Sequence, residues 1–224
     1  MKEIKTIRLS LPYKLGSVNC YLVQVTDGYI LIDTGHSSTR AKLEKELENA
    51  GCLPGSLKLI LLTHGDFDHT GGAAYLSKKF RARIAMHLDD AGMVERGDIF
   101  YNRKRRNIMI KIIVPLFFGF GKSQRFRANL FVDEGDDLIT SGWKAKVIHL
   151  PGHSKGSIGI ITADNDLFCG DLLTGDKPAL NTIIDDSLAA DASIEKLRNL
   201  RIGTIYPGHG NLFLWEEFLR YYRK

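Results

Sequence analysis

Residues 62–72 read LTHGDFDHTGG and place four metal-competent side chains, His64, Asp66, Asp68 and His69, within six positions. Three more candidates have a similar setting: His153 in LPGHS, Asp171 in FCGDLL and His209 in YPGHG each lie beside glycine, where an apolar run gives way to a turn. Glycine there lets the backbone bend sharply and approach a bound group that a Cβ would obstruct. His64 and Asp66, two positions apart, can chelate one ion from one side, whereas the adjacent Asp68 and His69 can turn to a second. A bridging carboxylate such as Asp171 would hold the two ions at the ~3.5–4 Å spacing of two-metal hydrolytic sites. Any one of these residues read alone is equally a turn former or a helix cap; all seven together point to a dinuclear centre.

The elements that would carry them alternate between strands and helices. SVNCYLVQVTDGYILIDTG (17–35) reads as a β-hairpin turning at Thr26-Asp27-Gly28 and ending in a small-residue turn after Asp33. SSTRAKLEKELENAG follows as a helix with a serine cap, Leu43 and Leu47 at helical spacing, and a stop at Gly51. LKLILLTH is a continuous apolar run of strand length, which predicts a strand buried on both faces with His64 at its carboxyl end. GGAAYLSKKF suits a helix, ARIAMH a strand, and an irregular region spans about 96–130. The second half repeats strands joined by Asp/Gly turns, then gives a helix around SIEKLRNLR, a strand in IGTIYPGHG and an amphipathic helix in LFLWEEFLRYYRK. Strands with helices outside predict an α/β sandwich in one domain, 1–224, with an insertion or lid at about 95–130.

Composition narrows the classes. The 224 residues are 44% hydrophobic, enough for a sizeable core and against disorder. The longest apolar run, 108–120, is broken by Lys111 and Pro115 and is too short for a transmembrane segment. MKEIKTIRLSLPYKLG lacks the apolar middle of a secretory signal. Cys20, Cys52 and Cys169 form an odd set with no C-x-x-C pair, so neither a disulfide framework nor a thiolate cluster is indicated. A cytoplasmic protein is the expectation. The net charge of +5 concentrates between residues 78 and 127, in KKFRAR, NRKRR and KSQRFR, which reads first as a solvated face.

THGDFDHTGG resembles the H-x-H-x-D-H loop of the metallo-β-lactamase superfamily. LPGHSKGSIGI is similar to its P-G-H-[ST]-x-G-S element, FCGDLL to its bridging-aspartate strand, IYPGHG to its last-histidine turn and LIDTG to a further element, all in the family's order. The resemblance implies a four-layer αβ/βα sandwich of two mixed β-sheets with a dinuclear site at the rim between them. By position, His64, Asp66 and His153 would bind the first metal, Asp68, His69 and His209 the second, and Asp171 would bridge. The implied enzyme is a metal-dependent hydrolase whose metal-bridging hydroxide attacks an ester, thioester, lactone or phosphodiester. Asp68, besides ligating, is the candidate to accept a proton during turnover.

Asp66 departs from the pattern, which has histidine there. A third carboxylate lowers the net charge of the cluster, and a hard oxygen donor moves preference from zinc toward iron or manganese. The flavodiiron oxygen and nitric oxide reductases of the superfamily carry glutamate at the equivalent place, so a diiron redox protein served by a separate electron donor is the alternative function. The 95–130 segment joins NRKRRN to IIVPLFFGFG, a combination suited to a small-molecule substrate with an anionic head and an apolar body, to a membrane-surface element or to a homodimer contact. Nucleic acid is not expected as a partner: the basic run alone is weak, and the extra domains of nucleic-acid-processing relatives do not fit this length. Asp33 is expected to order the metal loops, while His36, His87, His149 and Tyr206 are expected to be hydrogen-bonded or packed.

Overall fold

Apolar residues alternate along nearly every strand, and that period of two sorts them into separate layers. The computed structural model describes residues 3–104 and 122–222. The first sheet holds β1 (Ile4–Ser10), β2 (Ser17–Val25), β3 (Gly28–Ile32), β4 (Leu57–Leu61), β5 (Arg83–Met86) and β6 (Leu130–Phe131) in sequential order. Its first two pairings are antiparallel and the other three parallel. The second sheet runs β12 (Phe213–Leu214), β11 (Thr204–Gly210), β9 (Leu167–Gly175), β8 (Ile158–Thr162), β7 (Ala145–His149), with β10 (Ala179–Leu180) paired to β9. Among the described residues, only the β11–β9 pairing in it is parallel. Both sheets are mixed, as the family resemblance implied.

Three apolar clusters separate four layers. Leu22, Leu31, Leu57 and Ile60 pack outward against Leu43 and Leu47 of α1 (Arg40–Asn49), Leu76 and Phe80 of α3 (Ala73–Phe80), which follows the single turn α2 (Phe67–Thr70), and Val94 of α4 (Leu88–Arg96). Their sequence neighbours Tyr21, Val23, Ile30, Ile32, Leu59 and Leu61 face the other way and meet Val147, Ile158, Ile160 and Phe168 of the second sheet. Beyond that sheet, Ile148, Leu167 and Ile205 pack on Ala190, Ile194 and Leu197 of the helix Ser187–Arg198 and on Trp215 and Phe218 of the helix Trp215–Tyr221.

Two local features differ from expectation. The first helix has no serine cap: Thr39 precedes it without a side-chain cap bond, and the His36 side chain, accepting from Ser38 N at 3.2 Å, caps the short 3-10 turn Ser37–Thr39 that leads into it. The helix α4 was not foreseen, because two aspartates and a glycine in LDDAGMVER dilute its helical signal. It is capped by His87, which accepts from Asp89 N at 3.1 Å, and ends at Gly97 with φ 69°. Of the segment 95–130, residues 105–121 lie outside the described residues, so the lid reading falls partly there. Among the described residues no helix is long and apolar enough to cross a membrane.

Phe168 is fully buried between the sheets, stacked on Tyr206 at 4.6 Å and edge-on to Tyr21 at 5.1 Å. Phe168→Ala should cost about 3–5 kcal/mol, the usual figure for emptying a packed aromatic site. Urea unfolding followed by the fluorescence of nearby Trp143 checks it; a loss below about 1 kcal/mol would show that the intersheet layer is not packed this way.

Candidate metal centre

The parallel strands β3, β4 and β5 end on one rim, the usual position for a site on such a sheet. Asp33 follows β3, Thr63 and His64 follow β4, and His87 follows β5. The second sheet supplies Asp171 from within β9 and His209 from within β11. Register shifts on either side of Pro207 interrupt that pairing and re-aim both side chains. His153 comes from the β7–β8 connection, which Ile158 N docks onto Thr63 O at 2.8 Å. The rim is therefore built from both sheets.

All seven sequence candidates meet there. His153 Nε2 lies 2.9 Å and His64 Nε2 3.7 Å from Asp66 Oδ2. His209 Nε2 lies 3.4 Å and His69 Nε2 3.9 Å from Asp68 Oδ2. Asp171 stands between the groups: Oδ1 is 3.3 Å from His69 Nε2, and Oδ2 is 3.2 Å from His209 Nε2 and 4.0 Å from His153 Nε2. Gly208 makes this approach possible, since a Cβ on it would fall 2.1 Å from Asp171 Oδ1.

The far side of each imidazole is already engaged. His69 Nδ1 donates to Asp33 Oδ2 at 2.8 Å, His153 Nδ1 to Ile183 O at 2.5 Å and His209 Nδ1 to Ser17 O at 2.7 Å. Thr63 Oγ1 donates to Asp33 Oδ2 at 2.8 Å and accepts from His64 Nδ1 at 3.0 Å. Four Nδ1 protons are thus committed outward and four Nε2 atoms face inward, the outer-shell pattern that orients metal-binding histidines. His64 Nε2 is buried and has no hydrogen-bond partner among the described residues, while His69 Nε2 and His209 Nε2 sit 3.3 Å apart. Buried acceptors aimed at one another fit bound cations. In the protein alone, burial lowers the basicity of His209, but Asp171 and Asp68 outweigh it and raise its pKa to about 10. Burial likewise opposes protonation of His69, yet Asp171, Asp33 and Asp68 push its pKa well above the usual value. Protons are drawn in where carboxylates crowd.

Arg103 is a component that the sequence did not disclose. Its Nη2 donates to Asp66 Oδ1 at 2.6 Å, and both side chains are largely buried. Burial pushes the Asp66 carboxyl up, but Arg103 and His153 outweigh that and hold it far below the usual carboxylate range. The charge of the third carboxylate, counted from sequence as uncompensated, therefore has a partner.

Two further groups stitch the loops together. Asp90 of α4 is buried; it accepts from Gly65 N at 2.9 Å, Ser154 Oγ at 2.6 Å and Gly156 N at 2.8 Å, tying the His64 loop to the His153 loop. Burial raises its pKa against the pull of those three bonds. Buried Asn19 donates to Pro207 O at 3.0 Å and Gly210 O at 2.9 Å, Tyr21 Oη donates to Pro207 O at 2.6 Å, and Arg8 donates to Gly210 O at 2.7 Å, so the first sheet holds the His209 turn. Asp90, one of two adjacent aspartates before Ala91, carries no sequence signal of its own, and Asn19 lies inside a strand pattern that hides it.

The minor candidates stay outside the centre. His36 and His87 are helix caps, His149 Nε2 donates to Lys155 O at 2.9 Å, and Tyr206 packs on Phe168. His87, Asp133 and His149 also cluster. The two imidazoles stack at 4.4 Å with planes 4° apart, so their in-plane lone pairs cannot converge on one ion.

Residues 13–209 match the family described as the metallo-β-lactamase superfamily. The chain is 28% identical to the acyl-coenzyme A thioesterase MBLAC2 of Bos taurus, over 93% of this chain and 78% of that protein. It is 32% identical to hydroxyacylglutathione hydrolase 1 of Vibrio vulnificus over 74% of this chain and 52% of that one, so it spans about half of that relative. Among solved structures, TTHA1623 in a di-iron-bound form superposes with a TM-score of 0.73 at 26% identity, over 96% of this chain and 97% of that one. With the two mixed sheets, the clustered histidines and aspartates and the match across residues 13–209, the chain belongs to the metallo-β-lactamase superfamily and is a metal-dependent hydrolase of that family.

Proposed function

We propose that the protein is a dinuclear metallohydrolase acting on an acyl thioester with an anionic head and an apolar body. The observation that carries this is the inward convergence of four Nε2 atoms and three carboxylates, with every Nδ1 hydrogen-bonded outward. His64, Asp66 and His153 would hold the first ion, Asp68, His69 and His209 the second, and Asp171 would bridge. Two divalent ions held there would supply an activated water near neutral pH and would polarise the acyl oxygen.

The chain's own residues do the rest. Asp33, through Thr63 and His69, fixes which nitrogen of two histidines faces the site. Asp90 keeps the two loops at their separation. Asp68 is placed to accept a proton as well as to ligate. Around the rim, segments that hydrogen-bond the histidines also carry exposed apolar side chains: Ile183 beside the His153 support, and Tyr13 and Leu15 in the turn leading to Ser17. Lys14 adds positive charge in the segment beside Ser17. In this reading the insertion at 95–130 serves substrate selection, and the two relatives named for acyl-coenzyme A and hydroxyacylglutathione support a thioester.

A hard oxygen donor at Asp66 and the di-iron form of TTHA1623 favour iron over zinc and keep a diiron redox protein as the second reading. Relatives named as hydrolases favour hydrolysis.

Two measurements check the proposal. Protein loaded with iron or zinc, about two ions per chain, should cleave acyl-coenzyme A or acyl-glutathione thioesters in preference to lactones and phosphodiesters. Asp171→Asn should lose more than roughly 100-fold in rate, beyond what supporting residues usually contribute. Hydrolysis of none of the panel, together with reductant-dependent oxygen consumption, would favour the redox reading instead. Asp33→Asn keeps a residue type that tolerates the left-handed backbone at φ 58° but offers an amide where two donors converge. It should weaken metal retention against a chelator about 10–100-fold; unchanged retention would remove Asp33 from the support of the site.

A further inference from the structure

Arg103 reaches Asp66 from a short strap, residues 98–104, that is pinned at several points. Phe100 is buried, and Asn102 Nδ2 donates to Asp89 O at 2.9 Å. Lys104 N donates to Asp185 Oδ2 at 2.8 Å, and Lys104 Nζ pairs with Asp186. Those aspartates closely follow Ile183, whose carbonyl orients His153. The strap thus joins α4 to the loop that supports the first group of donors, and it delivers the guanidinium along a fixed path.

The two oxygens of Asp66 divide their work. Oδ1 faces Arg103 at 2.6 Å, while Oδ2 faces His153 Nε2 at 2.9 Å and His64 Nε2 at 3.7 Å. The carboxylate stands between a permanent cation and two imidazoles, and only Oδ2 points to where an ion would bind. A guanidinium does not deprotonate at any ordinary pH, so its charge is a constant of the site. Paired with it, Asp66 contributes an oxygen donor with almost no net charge, electrostatically closer to its neutral imidazole neighbours than to a free carboxylate.

We propose that Asp66 and Arg103 act as one unit, in which Arg103 is the positioning residue that sets the orientation and effective charge of the Asp66 donor and so limits how tightly the first metal position holds its ion. The inference rests on the proposed metal centre. It assigns the guanidinium a role distinct from ligation: it withdraws electron density from the ligand oxygen and opposes the ion's charge, leaving the bound ion a stronger Lewis acid at the expense of affinity.

The experiment is a titration of chelator-treated full-length protein with cobalt(II) and with zinc, reading ions per chain, dissociation constants and the visible cobalt spectrum. Arg103→Gln keeps a hydrogen-bond donor toward Asp66 but removes the charge; it should tighten the weaker of the two sites, or the single site if only one differs, on the order of tenfold. Arg103→Lys keeps the charge and should stay within about threefold of the unaltered protein. Asp66→His alone leaves the buried guanidinium beside the ion without the Asp66 carboxylate between them and should bind cobalt more weakly, whereas adding Arg103→Gln to it should restore binding, a non-additivity expected only of coupled residues. Unchanged constants in Arg103→Gln, or a double variant no better than Asp66→His, would overturn the inference while leaving the metal centre intact. Failure of the unaltered protein to bind either ion would overturn the metal centre, and the inference with it.

Discussion

Seven donor groups gathered at one rim serve a metal only if something fixes them from behind, and the buried carboxylate of Asp33 does so for the heart of the cluster. Its Oδ1 accepts from Thr63 N at 2.8 Å, and its Oδ2 takes both the Thr63 hydroxyl and His69 Nδ1. Through the hydroxyl it also decides the tautomer of His64. One carboxylate therefore orders two imidazoles and closes the end of β4. Its backbone sits at φ 58°, a conformation that a short polar side chain adopts more readily than a branched one. The residue that organises the centre is the one whose own backbone the turn can accept.

The remaining geometry follows from strand direction. Parallel pairing puts the ends of β3, β4 and β5 on one rim, and the parallel β9–β11 pair meets them from the second sheet. Two sheets that only packed face to face would leave their rim loops to drift. Here Ile158 N on Thr63 O, Asp90 across Gly65 and Gly156, and Asn19 with Tyr21 on the His209 turn join one half to the other with buried hydrogen bonds. Such bonds are costly to leave half made, so loss of any one partner is felt at the metal positions rather than at the surface.

What the chain disclosed before its fold was known, and what it withheld, divides along this line. Residues with a local signature were legible: the clustered His64, Asp66, Asp68 and His69, the glycine-flanked His153, Asp171 and His209, the Thr26-Asp27 hairpin and the alternating strands. Groups whose meaning comes from distant partners were not. Asp90 is bonded to residues 25 and 66 positions away, Arg103 to one 37 away, and Asn19 to a turn 188 away. In the sequence they are an aspartate in a dilute helix pattern, one basic residue in a basic run and an asparagine in a strand. The charge argument built on Asp66 was sound for a lone carboxylate and incomplete because its counterion arrives from an insertion that carries no motif.

The supports of the four histidines are of two kinds. Those of His64 and His69 are side chains, and they tolerate few replacements. Those of His153 and His209 are the backbone carbonyls of Ile183 and Ser17, which every amino acid possesses. The Ile183 side chain, 66% exposed, is thereby uncoupled from the orientation of the ring its own carbonyl holds. Half of the centre's scaffolding is indifferent to sequence, so the wall of the cleft is free to diversify while the chemistry stays put. In a protein built this way, new selectivity is reached by changing side chains at the mouth, without passing through variants that lose the centre.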